Sequence, residues 1–298
     1  MSGAEHASAA GHGAGFRDWL SRRESRGDVA AAWPAAALAA TLDINDVRPA
    51  AGAPLPPGWH WLYFLDTALQ SQLGEDGHPR RGGFLPPVTL PRRMWAGGRF
   101  EFRQPLQSGE TIRRDSEIIS IEPKRGRSGD MVFVTVRHTV SGANGVAVIE
   151  DHDIVYREAA TADSAPPRRE PAPVQAQWQR EVVSDPVLLF RFSALTFNGH
   201  RIHYDPDYAT RIEHYPGLVI HGPLQTILLL DLCRRHAPQR TLTHFDYRAR
   251  APLFHPQTFT VNGTPSADGT HADLWTADAN GCYAMTATAR FGTVRSEA

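Results

Sequence analysis

The sequence predicts an α+β protein built from two similar antiparallel-sheet halves, and three features carry that prediction. A proline-rich stretch divides the 298 residues into parts of similar size, the two parts echo each other, and the second contains one helix that is apolar on more than one face. A helix of that kind must be wrapped by other structure, and alternating strands supply the wrapping.

Taken in chain order, residues 1–15 are Ala, Gly, Ser and His without the basic start and apolar run of a secretion signal, which reads as a disordered leader. The first domain is expected over residues 16–158. Residues 159–176 form an Ala/Pro-rich linker, and the second domain follows over 177–298. Phe100–Leu106 in the first half is matched by Phe245–Arg248 and then Pro252–Leu253 in the second. Each half ends in two alternating segments around Ala-Asn-Gly. Val132–Val140 and Val146–Tyr156 flank Ala143–Gly145, while Leu274 and Cys282–Phe291 flank Ala279–Gly281. Asn-Gly between alternating strands predicts a tight hairpin, since both residues tolerate positive φ. In the second half, Gly222-Pro223 opens the apolar helix, Arg234, Arg235 and His236 suit its C-terminal dipole, and Pro238 stops it. Trp61–Leu73 is the expected counterpart helix of the first half.

Composition narrows the class. Apolar residues are 41% and charged residues 21%, as in a globular protein with a real core. The formal net charge of −1 gives no reason to expect nucleic acid or an anionic membrane as a partner. The longest apolar run, Thr226–Leu230 extended by Leu232, is far too short for a bilayer. Cys233 and Cys282 show no Cys-x-x-Cys pairing and no metal-ligand spacing, which fits the cytoplasm and a site without metal. Lys124 is the only lysine among 31 basic residues, so any grip on phosphate or carboxylate falls to arginine. No Walker or Rossmann glycine pattern is present.

Chemistry concentrates in Arg191–Asp205. Asp205-Pro206 reads as cap and first residue of a short helix to about Ile212, which leaves Asn198, His200 and His203 on the preceding loop. Imidazole titrates near neutrality and suits proton transfer in both directions. A second loop, Tyr215–Pro223, leads to the helix start, where the Gly222 amide can hold a developing oxyanion. Acid/base and oxyanion donor together suit chemistry α,β to a carbonyl. Ser193 and Thr196 are conceivable nucleophiles but sit in no nucleophile elbow. His221 reads as structural. Arg201 and Tyr204 flank the loop as candidate contacts for a substrate carboxylate or pantetheine arm. Arg92 and Arg93 are candidates for coenzyme A phosphates or an acyl carboxylate, and Lys124–Gly129 reads first as a solvated hairpin tip.

Phe192–Asp205 resembles the motif of the MaoC-like, R-specific hydratase 2 family, with a catalytic Asp, a catalytic His five residues on, and an acidic residue starting a helix. Asn198 falls on the Asp position and His203 on the His position. Tyr215–Leu224 is similar to the start of the family's central helix, and Leu90–Phe100 with Asp153–Arg157 looks like the degenerate N-terminal unit of its fatty-acid-synthase-like dehydratase branch. The resemblance implies a double hot-dog, two fused antiparallel-sheet domains each wrapping a central helix. It implies a catalytic set of His203, Asn198 and Gly222, an acyl-CoA substrate, and no cofactor beyond the coenzyme A of that substrate. Within the branch, hydratases of short branched dicarboxyl esters such as mesaconyl-C4-CoA and itaconyl-CoA are most similar, and citramalyl-CoA would be the product. Hot-dog sheets commonly pair across an edge, which allows a homo-oligomer. A medium-chain 3-hydroxyacyl-thioester dehydratase, a hot-dog thioesterase and a non-catalytic acyl-thioester-binding subunit stay open at this point. An amide at 198 cannot take a proton at neutral pH, though it can orient a water.

Overall fold

The computed structural model describes residues 16–126, 129–158 and 169–294. The expected leader, most of the expected linker, and Arg127 and Ser128 of the hairpin tip lie outside the described residues. The described residues form ten strands: β1 (Arg23–Val29), β2 (Arg92–Phe102), β3 (Thr111–Gly126), β4 (Gly129–Gly142), β5 (Gly145–Arg157), β6 (Trp178–Val183), β7 (Arg240–Ala249), β8 (Thr258–Pro265), β9 (His271–Ala277) and β10 (Tyr283–Val294). They form one antiparallel sheet in the order β1-β3-β4-β5-β2-β7-β10-β9-β8-β6. Numbered within its own half and read from the outer edge inwards, each half runs 1-3-4-5-2. The echo between the halves is therefore a repeat of topology.

β2 and β7 form the seam. Their register sets Phe100 opposite Phe245, the first residues of the two echoed motifs, with ring centroids 6.4 Å apart. Both rings are fully buried in a core shared by the two halves. The hairpins fall where the Ala-Asn-Gly triplets put them, but only Gly145 (φ 96°) and Gly281 (φ 72°) take the left-handed conformation. Asn144 and Asn280 do not, so each turn needs one permissive residue rather than two.

Three α-helices accompany the sheet: α1 (Ala32–Thr41), α2 (Pro186–Leu195) and α3 (Gly222–His236). In α3 every residue from Leu224 to Cys233 is buried, and the helix lies against β6 to β10. α2 begins with the same Asp-Pro signal read at 205–206. The Asp185 carboxylate accepts from Val187 N–H, and Pro186 occupies the first turn. At the second such signal Asp205 accepts from Tyr208 N–H at 3.0 Å, and the following turn, Tyr208–Ile212, is a π-helix.

The expected helix over Trp61–Leu73 is absent, so only the second half wraps a central helix. In its place stand two 3₁₀ turns, Trp59–Leu62, entered through Gly58 (φ 84°), and Gln70–Gln72, joined by irregular chain. The aromatic residues of this stretch go to separate partners. Trp61 Nε1 donates to Glu150, Tyr63 Oη–H to the Ala31 carbonyl, and Phe64 N–H to Asp28. Those three directions fit no one helical face. α1 follows β1 as α2 follows β6, and these two helices pack together. The element without a counterpart is α3. In the first half, residues 65–86 and a cavity bounded by β4 and β5 lie where a central helix would have been.

Candidate active site

The cavity is about 2010 Å³ and is lined from both halves. That is ample for an extended ligand such as a coenzyme A ester. His203, Asn198 and Gly222, distant from the first half in sequence, share it with Arg93, Trp95 and His78.

His203 ends the 3₁₀ turn Arg201–His203 and is buried. Its Nδ1–H donates to the Val219 carbonyl at 2.7 Å, which fixes the tautomer and leaves Nε2 as a bare acceptor. Burial pulls its pKa down to about 4, so the ring is a neutral base at pH 7. Against it stacks His221, with centroids 3.6 Å apart and planes 18° from parallel. His221 precedes Gly222 directly, so the stack carries the His203 ring to the start of α3. The Gly222 N–H is a first-turn donor with no partner inside the helix, and Pro223 has none to offer. Acceptor and donor therefore meet one cavity.

His221 is fully buried, and its Nε2 meets Ser193 Oγ at 2.8 Å. Its Nδ1 has no partner, so no carboxylate completes a Ser-His-acid triad. Thr196 Oγ1–H bonds back to the Phe192 carbonyl and is occupied as well. Asp231, the first carboxylate of α3, is gripped by Arg180, Arg234 and Arg235 towards the far end of the helix. A thioesterase using a carboxylate on its central helix finds none available here.

The other expected site residues separate by direction. Asn198 Oδ1 accepts from His200 N–H at 3.0 Å, an Asx turn that ties the amide oxygen to the loop backbone and leaves the Nδ2 donor free. His200 lies between two other imidazoles, 5.6 Å from His203 and 4.1 Å from His78, and burial and neighbouring rings lower its pKa to about 2. Arg201 forks onto Asp205 at 2.8–3.0 Å and reaches the Glu75 carbonyl, while Tyr204 Oη–H bonds the Gly199 carbonyl. Both side chains hold the loop in shape. Arg92 and Arg93 point to opposite faces of β2, as strand neighbours must. Arg92 pairs with Glu213 at 2.9 Å and lies over Tyr215. Arg93 hydrogen-bonds Tyr156, and its charge acts on His78, His200 and His152. It has no ion-pair partner among the described residues. A bulge in β2 between Trp95 and Gly97 shifts the alternation, so Arg93 and Trp95 share the face of Phe100. Trp95 in turn packs edge-on against Trp61 and lies beside Gly222.

Sequence reasoning missed Asp76 and His78. They come from Gly74–Pro79, a segment that carries no motif in the sequence and lies just beyond the end of the expected helix. It also missed a buried polar cluster in the first half. Glu150 accepts from Trp61 and meets His60 Nε2 at 3.0 Å, with His138 and His152 nearby. These partners hold the Glu150 pKa at about 2 although burial pushes it up.

Two half-sheets of identical strand order, a helix N-terminus presenting a free amide, and a tautomer-fixed histidine meet at one cavity, an arrangement suited to acid/base chemistry beside a carbonyl. The chain belongs to the hydroxyacyl-thioester dehydratase type 2 family, whose family model matches residues 58–255. It is 47% identical over 274 residues to the mesaconyl-C(4)-CoA hydratase of Chloroflexus aurantiacus, covering 92% of this chain and 97% of that one. Among solved structures it is similar to HtdX of Mycobacterium tuberculosis (TM-score 0.63, 17% identity, 91% of this chain and 100% of the other). A second M. tuberculosis protein, described as having a double hotdog fold, matches at TM-score 0.53 and 14% identity over 92% of this chain and 98% of its own. The fold is a double hot-dog in which the first unit has lost its helix. No helix among the described residues is long and apolar enough to cross a membrane.

Proposed function

We propose that this protein is a cytoplasmic hydro-lyase that adds water to the double bond of a short branched dicarboxyl enoyl-CoA ester such as mesaconyl-C4-CoA, giving citramalyl-CoA. His203 Nε2 takes a proton from water as the oxygen bonds to the β-carbon. The electron pair of the alkene moves onto the thioester carbonyl, and the Gly222 N–H, at the positive end of α3, stabilises the enolate oxygen. The proton then returns to the α-carbon. The 47% identity to a named mesaconyl-C(4)-CoA hydratase supports this reading.

Arg93 is the observation that carries the substrate class. In mesaconyl-C4-CoA the free carboxylate hangs on the carbon that receives the hydroxyl. A cation for it must therefore stand beside the water-activating imidazoles, and Arg93 does so without an acidic partner among the described residues. Arg92, turned to Glu213, is not available for the task.

The test compares mesaconyl-C4-CoA with crotonyl-CoA. The expected result is loss of enoyl absorbance without release of free thiol. Arg93→Leu should raise KM for the dicarboxyl ester about 10- to 100-fold, as expected for a lost charge-assisted bond, and leave crotonyl-CoA nearly unaffected. Equal effects on both esters would remove Arg93 from the role.

A further inference from the structure

Hydration as described above needs two acceptors for one water. The base takes one hydrogen, and a second acceptor holds the other so that a lone pair faces the β-carbon. His203 Nε2 is the first. Asn198 serves this role poorly, because its oxygen already accepts from the His200 N–H in the Asx turn and its nitrogen can only donate. A donor pointed at the water oxygen would weaken the nucleophile.

An ionised carboxylate with a histidine reaches this place from the first half. Residues 72–80 fold back on themselves, with Gly74 N–H donating to the His78 carbonyl and Arg80 N–H to the Gln72 carbonyl. The tip is tied to the catalytic loop by Arg201 N–H, which donates to the Asp76 carbonyl at 2.9 Å. Gly77 (φ 87°) lies against Gly199 so closely that a Cβ on Gly77 would overlap the Gly199 carbonyl oxygen. Asp76 Oδ1 accepts from His78 N–H at 3.0 Å, and Oδ2 accepts from His78 Nδ1–H at 3.1 Å. That pair fixes the tautomer and leaves His78 Nε2 as a bare acceptor. The His78 ring is 4.1 Å from His200, which is 5.6 Å from His203, and all three line the cavity. Burial keeps His78 below its ordinary pKa despite Asp76, so it accepts rather than donates at neutral pH.

We propose that His78, oriented by Asp76, is the second acceptor for the catalytic water, so that the first half supplies the acceptor that a carboxylate at position 198 would have given. The inference rests on the hydratase reading. The water oxygen bonds to the β-carbon and one of its protons passes to His203 Nε2. The alkene pair becomes the enolate, and the same proton goes on to the α-carbon. His78 Nε2 keeps accepting from the hydrogen that remains on the product hydroxyl. Asp76 is a positioning residue.

The experiment measures kcat and KM of the full chain with mesaconyl-C4-CoA. H78A should lower kcat about 100-fold and leave KM within about twofold. N198D keeps the Asx turn and exchanges the spare donor for an acceptor. Placed in the H78A background, it should restore kcat at least about tenfold, and it should likewise lift the smaller loss in D76A. An H78A enzyme within about threefold of the parent, or an H78A/N198D enzyme no faster than H78A, overturns the proposal. Should H78A not fold, H78Q and H78L replace it: Gln keeps an acceptor and should be at least about tenfold faster than Leu, and equal rates overturn it. Activity abolished by EDTA and restored by Zn²⁺ also overturns it, since Asp76, His78 and His200 would then be metal ligands. Failure of the hydratase reading looks different, because the unmodified protein itself would not hydrate the ester.

Discussion

The two halves have the same strand order and opposite contents. In the second, the sheet curls around α3, whose buried leucines leave no free space and whose first turn presents the Gly222 amide. In the first, the corresponding sheet faces a cavity, bordered by irregular chain and by a polar cluster centred on Glu150. One topology has thus been used once to bury a helix and once to leave room. Five antiparallel strands can serve either way, because the sheet satisfies its own backbone hydrogen bonds whether or not a helix covers its face. The helix fills its half, and its absence from the other half leaves the cavity.

This contrast can be broken experimentally. The largest effect is expected at the reactive end of the second half. His203→Ala should lower kcat/KM about 1000-fold with little change in thermal stability, since a general base is lost and the cavity only grows. A small effect there would mean that the two halves do not divide the work as described. Next comes the packed helix: Leu228→Ala should destabilise by about 2–5 kcal/mol in denaturant unfolding. Phe133, on the cavity wall of the first half, is only half-buried. Phe133→Leu should cost less than about 1.5 kcal/mol and act mainly on KM. Comparable costs at the two positions would show the first half to be as tightly filled as the second.

The smallest effects concern pH. His203 is neutral down to about pH 4, so the acid limb of kcat/KM should lie near there rather than near 6.5. His138 has a folded pKa of about 3, and its ordinary value in the unfolded chain is higher. Its contribution to stability is complete above about pH 6.5 and is lost as pH falls towards 3, because the unfolded state takes up the proton first. Glu150, at about 2 when folded, adds a second loss below about pH 4.5. Thermal unfolding followed from pH 7 to pH 4 should therefore show falling Tm, and Glu150→Gln should flatten only the lower part of the curve.

The sequence made the second half more legible than the first. α3 was readable because burial on all sides, a proline at its start and cations at its end agree. The strand pairs were readable because alternation and a single turn glycine agree. α1 escaped notice because alanines carry no amphipathic signal, and α2 because its Asp-Pro start was passed over in favour of the identical pair at 205–206. The Trp61–Leu73 expectation failed because apolar content was taken for a helix although the aromatic residues have three different destinations. At the site, His203, Asn198 and Gly222 share one local motif and its continuation. Asp76 and His78 lie more than a hundred positions away, and only the fold brings them near. Local pattern reports which residue types are present; it does not report which of them face each other across a β2–β7 seam.

The backbone contact of Gly77 with Gly199 leaves no room for a side chain where the two halves meet. A methyl group at either glycine would push apart the two loops that hold the imidazoles. Fragments of the two halves produced from separate genes should each be inert, and mixing them should restore turnover only when that glycine pair is intact.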